Sequence, residues 1–329
     1  MATYKEIFGT NIEVLASDPA NPVEGQVWYN STSNVVKGAA ATTSGAWATG
    51  GDLNTARSGL AGAGTQTAGL AFGGQPSTAI TESYNGSAWT EVNDLNTARY
   101  TGAGFGTSTA AIYASGYNGT ANVTNVESWD GTNWTEVADV NTARRGIPGG
   151  GTSTSGIVAA GTGGLANVET WNGTSWTETT DLNTPRASGQ ASATDSTAAI
   201  VYGGYNPGSS TTIASNELWN GSSWTEVNDL NTARSNTQGV GTATAALVSA
   251  GYKDTPAPAA NISPAATELW NGTSWSTDTA QPTPVRNQGA GGTSSAAFYA
   301  GGYDGTTNIA TTLEYVGAGS PLTVTFTDS

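Results

Sequence analysis

The stretch NGSAWTEVNDLNTAR at residues 85–99 returns as NGSSWTEVNDLNTAR at 220–234, with a single substitution. Looser copies bring six tryptophans into phase: Trp47, Trp89, Trp134, Trp176, Trp224 and Trp275. Six linker arginines follow them: Arg57, Arg99, Arg144, Arg186, Arg234 and Arg286. The arginines are spaced by 42, 45, 42, 48 and 52 residues. A period of about 40–50 residues suits a four-stranded unit and is longer than the common helical-hairpin repeats. No amphipathic run of helical period survives the 45 glycines.

Each copy reads as four short strands. A run of tiny residues follows the arginine (SGLAGAG, 58–64), then an apolar strand that ends in glycine (AAIVYGG, 198–204). After a loop of variable length comes a third strand (VETW, 168–171), and an Asn-Gly or Asp-Gly pair turns the chain into the tryptophan strand. Asn-Gly between two strands predicts a two-residue hairpin turn, because both turn positions require positive φ. Two aromatics lie five residues apart in each full copy, from Tyr84/Trp89 to Trp270/Trp275. The tiny residues suit a crowded centre, and the large rings suit the wider gaps between outer strands. A glutamate recurs in the third strand (Glu82, Glu127, Glu169, Glu217, Glu268, Glu314). Repeated Arg and Glu predict repeated buried pairs that set register, which favours scaffold over catalysis.

A glycine pair after an apolar strand, then an aromatic, a tryptophan and a linker arginine, resembles the kelch repeat. The resemblance runs from about residue 40 to 317. It departs where Ser115-Gly116, Ala160-Gly161 and Ala250-Gly251 replace the glycine pair, and where Val316-Gly317 stands for Asn-Gly. It implies an all-β fold, a six-bladed kelch-like β-propeller over 40–317. An N-terminal arm (1–39) carrying a β-hairpin extension and a tail (318–329) flank it. The first tryptophan strand (45–57) precedes the first inner strand and the last copy lacks one, so the Trp47 strand is expected to complete the last blade beside 312–316. The competing partner is PLTVTFTDS (321–329), whose Leu322, Val324 and Phe326 alternate as an edge strand would.

Outside the repeat, GQVWYNSTSNVVKG (25–38) reads as a hairpin around the turn NSTSN, with Val27, Tyr29 and Val35 on one apolar face beside Trp28. It resembles the G-x-x-W-Y-N-[ST]-[ST] hairpin of bacteriophage tail-fibre and other virion proteins, and kelch-like chains with such a start resemble those encoded by marine phages. That resemblance implies a virion structural protein of tail-fibre or capsid-decoration type, assembled in the host cytoplasm. The arm would then dock to other virion proteins, with a homo-oligomer as a further option. The plain alternative is a hairpin capping the propeller. Isolated two-stranded hairpins are marginal in water, so this one needs a surface to pack on.

Composition removes several function classes. With no His and no Cys among 329 residues, triads, thiolate nucleophiles and imidazole metal sites are unavailable. The acids mostly sit at repeat-equivalent positions, so the reading is no enzyme and no cofactor. A net charge of −15 repels a phosphate backbone, so nucleic acid is not a partner. No apolar segment has the length of a secretory signal or a membrane span. The N-x-[ST] triplets at Asn85, Asn172, Asn220 and Asn271 read as turns. Function then falls to the loops between second and third strands, of which 252–268 is the longest. Their bases carry Tyr117 and Asn118, Tyr205 and Asn206, Tyr252 with Lys253 and Asp254, and Tyr303 with Asp304. Tyrosine beside an amide or acid suits recognition of a host-surface glycan or protein; the same rings could instead end the strand and pack inward. A bacterial surface lectin-like propeller is the runner-up function, and a kelch-type enzyme the third.

Overall fold

The computed structural model describes residues 12–19, 26–41, 44–254, 264–318 and 321–326. Residues 255–263 of the longest loop, much of the arm and both chain ends lie outside them. The chain forms two compact units, Trp47–Tyr315 and Met1–Ala46 with Val316–Ser329. The described residues contain no helix.

The larger unit is built from four-stranded antiparallel sheets, six of them among the described residues. They cover 61–91, 103–137, 149–179, 190–227 and 238–278 in turn, and the sixth takes 289–316 plus Ala46–Thr49. In the first, Ala61–Thr65, Ala68–Phe72, Thr81–Tyr84 and Trp89–Glu91 pair in sequence order. In the sixth, Ala46–Thr49 is the outermost strand, beside Thr312–Val316.

The core lies between sheets. Phe72 of the first sheet meets Tyr113 and Trp134 of the second at 5.2 and 4.9 Å between ring centroids. Ile112 and Val126 of the second join Trp171 and Trp176 of the third, and the pattern continues sheet by sheet. Phe298 of the sixth sheet then packs with Tyr84 and Trp89 of the first. Inner strands meet too closely for larger residues. A Cβ on Gly104 would lie 2.6 Å from the Ala61 Cβ of the neighbouring sheet.

A ring of backbone hydrogen bonds joins the six linkers. The N–H of Thr101 donates to the carbonyl of Gly59 (2.8 Å), Gly146 to Thr101 (2.8 Å) and Ser188 to Gly146 (2.7 Å). Asn236 donates to Ser188 (2.8 Å), Asn287 to Asn236 (2.9 Å), and Gly59 returns to Asn287 (2.7 Å). All six residues hold φ between 50° and 63°, although four of them are not glycine. The six bonds together offset the cost of that left-handed backbone, which is about 1–2 kcal/mol for a residue with a Cβ.

The hairpin turns differ from expectation. Tyr84 pairs directly with Trp89, so Asn85–Ala88 is a four-residue loop and not a two-residue turn. The Asn85 side-chain oxygen accepts the N–H groups of Ser87 and Ala88, both at 2.9 Å, and only Gly86 needs positive φ. Asp130, Asn172, Asn220 and Asn271 repeat the arrangement. An asparagine that caps its own turn in this way needs no left-handed backbone. The loop length also makes the two aromatics cross-strand partners, 4.8 Å apart at Tyr84 and Trp89.

The second position of the expected glycine pairs is always glycine, but the first is Ser115, Ala160 or Ala250 in three sheets, each with φ near 60°. Ala250→Gly is expected to stabilise the protein by about 0.5–1 kcal/mol, the relieved strain less the extra chain entropy of glycine. A thermal midpoint that stays level or falls would refute this.

Five buried ion pairs tie linkers to third strands: Arg57–Glu82, Arg99–Glu127, Arg144–Glu169 (2.8 Å), Arg186–Glu217 (2.8 Å) and Arg234–Glu268. Each glutamate also accepts the backbone and side-chain N–H of an asparagine in the linker, as Glu268 does from Asn231. Burial pulls Arg144, Arg186 and Arg234 below the usual guanidinium range, and the facing carboxylates oppose that shift.

The sixth pair is absent, which corrects the alignment of Arg286 and Glu314. Gly251 N–H binds the carbonyl of Val285, whereas Gly204 and Gly302 bind those of Arg234 and Arg57. Val285 is therefore the residue at the arginine position, and it is buried. Leu313, also buried, stands at the glutamate position, and Pro282 replaces the asparagine. Glu314 falls one residue later and accepts the Tyr84 hydroxyl at 2.6 Å. That hydrogen bond adds to burial in pushing the Tyr84 pKa up to about 12.

The smaller unit holds one four-stranded sheet, ordered Glu13–Leu15, Val27–Asn30, Val35–Ala41 and Pro321–Phe326. The C-terminal strand thus pairs beside Val35–Ala41. Asn30 pairs with Val35 across residues 31–34, and Tyr29 with Val36. This corrects the expected apolar face. A turn one residue shorter than NSTSN shifts the register by one, which moves side chains to the opposite face. Val27 and Tyr29 share a face with Val36, while Val35 lies on the face of Trp28. Trp28 is fully buried, with its indole N–H on Asp18 at 3.1 Å. Asn30 and Lys37 donate to the same carboxylate, both at 2.7 Å, and hold its pKa down to about 2.

Candidate functional site

Each linker places one residue, immediately before the hydrogen-bonded ring, in a backbone bridge with the residue that follows the second strand. The bridges are Ser58 with Gln75, Tyr100 with Tyr117, Ala187 with Tyr205, Ser235 with Tyr252 and Arg286 with Tyr303. In the third sheet Thr162 donates to the Arg145 carbonyl in the same way (2.8 Å). One face of the larger unit therefore carries Tyr117, Tyr205, Tyr252 and Tyr303 at equivalent positions, all half-buried. The sequence reading brought these four together, and Tyr100 joins them.

Their polar neighbours do different work. Asn118 uses its side-chain oxygen on the N–H groups of Thr120 and Ala121 (2.9 Å each), and Asn206 on that of Gly208 (2.8 Å). Asp304 accepts from Thr306 and Thr307 at 2.8 Å, and those two N–H groups hold its pKa below the ordinary value. Asp254 accepts the N–H of Thr212 at 2.9 Å, fastening its loop to the preceding sheet. These oxygens shape loops.

The residues that stand uncommitted are cations. Of the eight cationic side chains in 47–315, five are spent in the buried pairs. The other three, Arg145, Lys253 and Arg286, all sit at this face and have no carboxylate partner among the described residues. Arg145 lies over the Tyr117 ring at 4.2 Å. Arg286 lies against two rings, Tyr252 at 5.0 Å and Tyr303 at 4.9 Å. A guanidinium held on aromatic faces keeps its in-plane N–H fork free. Burial and the neighbouring Asp254 carboxylate push the Tyr252 hydroxyl pKa up.

Sequence reading missed Arg145 and assigned Arg286 to the scaffold. Two cues were present. Arg145 is the second of a doubled arginine, and aligning Pro284 with Pro185 puts Arg286 one position beyond the buried site.

Beside Arg286 a groove of about 510 Å³ opens, lined also by Gln75, Pro76, Asn287, Tyr303 and Asn308. Its lining holds no carboxylate. At the centre, the mouth formed by the linker ring encloses only about 80 Å³. That is room for a few waters. Among the described residues no group of three acidic, histidine or cysteine side chains could hold a metal ion.

No protein family matches the chain, and no curated protein matches it. Among solved structures it is similar to YjhT, with a TM-score of 0.68 over 80% of this chain and 96% of that one. The fold is propeller-like. At 8% identity the likeness reaches the fold and not the site.

Proposed function

We propose that this chain is a bacteriophage virion protein of tail-fibre or capsid-decoration type. Its six sheets form a closed six-bladed kelch-like propeller, which presents the tyrosine and arginine face to a protein or to the host surface. The six-membered hydrogen-bond ring supports closure and blade count, and the place of Ala46–Thr49 beside Thr312–Val316 supports closure by the N-terminal strand. The assignment to a virion is carried by QVWYNSTSN (26–34), the segment that resembles virion hairpins. In this reading residues 1–39 attach the chain to other virion proteins. The chain performs no chemistry and needs no cofactor, since its buried charges hold the linkers and its free polar groups are hydrogen-bond donors on a rigid frame.

A bacterial surface lectin-like propeller is the second reading, favoured by the donor-lined groove at Arg286. Antibody raised against the full chain distinguishes the two. It should label density-purified phage particles that carry the gene. Labelling confined to the host envelope would overturn the virion assignment in favour of the lectin.

A further inference from the structure

The groove beside Arg286 has a chemical specificity that its surroundings define. Arg286 is not needed for the buried scaffold, because Val285 occupies that position and makes the packing contact with Gly302. The equivalent bridge positions are filled by Ser58, Tyr100, Arg145, Ala187 and Ser235, so the repeat does not require an arginine there. The side chain is nevertheless held against the rings of Tyr252 and Tyr303, and it makes no ion pair among the described residues. A positioned guanidinium without a counter-ion is a receptor for a planar anion, above all a carboxylate gripped by two parallel N–H bonds.

The rest of the lining is neutral and polar. Gln75 and Asn287 contribute amides, Tyr303 a hydroxyl, and Asn308 an amide whose nitrogen donates to the Gln75 carbonyl at 2.8 Å. Amides and a hydroxyl around one arginine complement a hydroxyl-rich ligand that places one carboxylate at the arginine. The volume lies within the roughly 300–1,000 Å³ of small-ligand sites. A densely charged polyanion is disfavoured by the net charge of −15.

We infer that the groove lined by Arg286, Tyr303, Gln75, Asn287 and Asn308 binds a carboxylated sugar of the hexuronate class, with Arg286 gripping the carboxylate. The inference rests on the reading of this face as a binding face and names what it binds.

Calorimetric titration of the full chain with digalacturonate, with the neutral disaccharide digalactose, and with the peptide acetyl-Glu-Gly-Glu-amide tests it. Digalacturonate should bind one to one, and the neutral disaccharide at least about tenfold more weakly, the usual scale for a hydrogen-bonded charge. Arg286→Gln should lose the same factor, and Arg286→Lys, which keeps the charge without the fork, should fall between. Glu91→Gln, on the exposed outer strand of the first sheet, should leave binding unchanged. Neither Arg286 variant breaks an ion pair, so both should melt with the native protein; if Arg286→Gln melts early, Arg286→Lys decides. Equal binding of both disaccharides, indifference to Arg286, binding of the peptide alone, or no heat with any probe would each overturn the inference. Particle labelling is read separately. Labelled virions with no uronate binding would sink the ligand alone, and uronate binding without labelled virions would sink the virion assignment alone.

Discussion

Trp89→Ala should destabilise the protein by about 3–5 kcal/mol, the range for truncating a buried aromatic. Trp89 belongs to the outermost strand of the first sheet but packs across to the sixth. Its ring stacks on Tyr84 at 4.8 Å, meets Phe298 edge-on at 5.5 Å, and its indole N–H binds the Thr312 hydroxyl at 2.9 Å. Truncation would open a cavity between the first and last sheets and leave a buried hydroxyl without its donor. The loss falls at the contact between the first and sixth sheets, which the linker from Ala46–Thr49 to Ala61–Thr65 also joins covalently. Denaturant unfolding followed by tryptophan fluorescence measures the change. A midpoint within error of the native one would show that this junction does not hold the fold.

Arg234→Val is expected to cost a similar amount, about 3–5 kcal/mol, because it strands a buried carboxylate. Glu268 would keep the N–H groups of Asn231 and lose its cation. The protein already contains an uncharged version of this network, in which Pro282, Val285 and Leu313 stand for Asn, Arg and Glu beside the buried Gln281 and Gln288. Proline supplies no backbone N–H and no side-chain amide, so removing the carboxylate orphans only the Thr232 N–H, which donates to it at 3.2 Å. The triple variant Asn231→Pro, Arg234→Val, Glu268→Leu should therefore recover most of the loss. Replacing a buried pair as a unit with apolar side chains is often near neutral, while breaking it is not. A triple variant no more stable than Arg234→Val would mean that the fifth sheet needs the charges for its register.

Much of the fold was legible because it repeats. Trp129/Trp134, Trp171/Trp176 and Trp219/Trp224 sit opposite each other in the structure because a constant loop length makes them cross-strand partners. The Arg–Glu pairs were legible in five sheets for the same reason. A signal written five times survives local noise. The sixth misled because Arg286 kept the letter and lost the place: a one-residue shift converts a buried scaffold arginine into a half-buried one. The arm failed similarly, since Asn30 joins the strand and turns Val35 to the other face.

The candidate site was legible in part. Tyr117, Tyr205, Tyr252 and Tyr303 could be placed at one face from the repeat alone, as each follows a second strand. Whether Asn118 or Asp304 was free could not be read, because an oxygen capping its own turn looks the same in sequence as one offered to a ligand. Arg145 and Arg286 became visible only with the rings beneath them, which come from the preceding sheet.

Period, strand order, aromatic partners and the charge pairs follow from local patterns that the chain spells repeatedly. The left-handed backbone at Thr101 and Ser188 does not follow from those residues, whereas Asn236 and Asn287 are of a type that adopts it more readily. It accompanies the ring in which the six linkers are joined N–H to carbonyl. The free guanidinium at Arg286 also depends on tertiary structure. Its partners are rings from two different sheets, about fifty residues apart in sequence, and only the packing of sheet against sheet brings them to one groove.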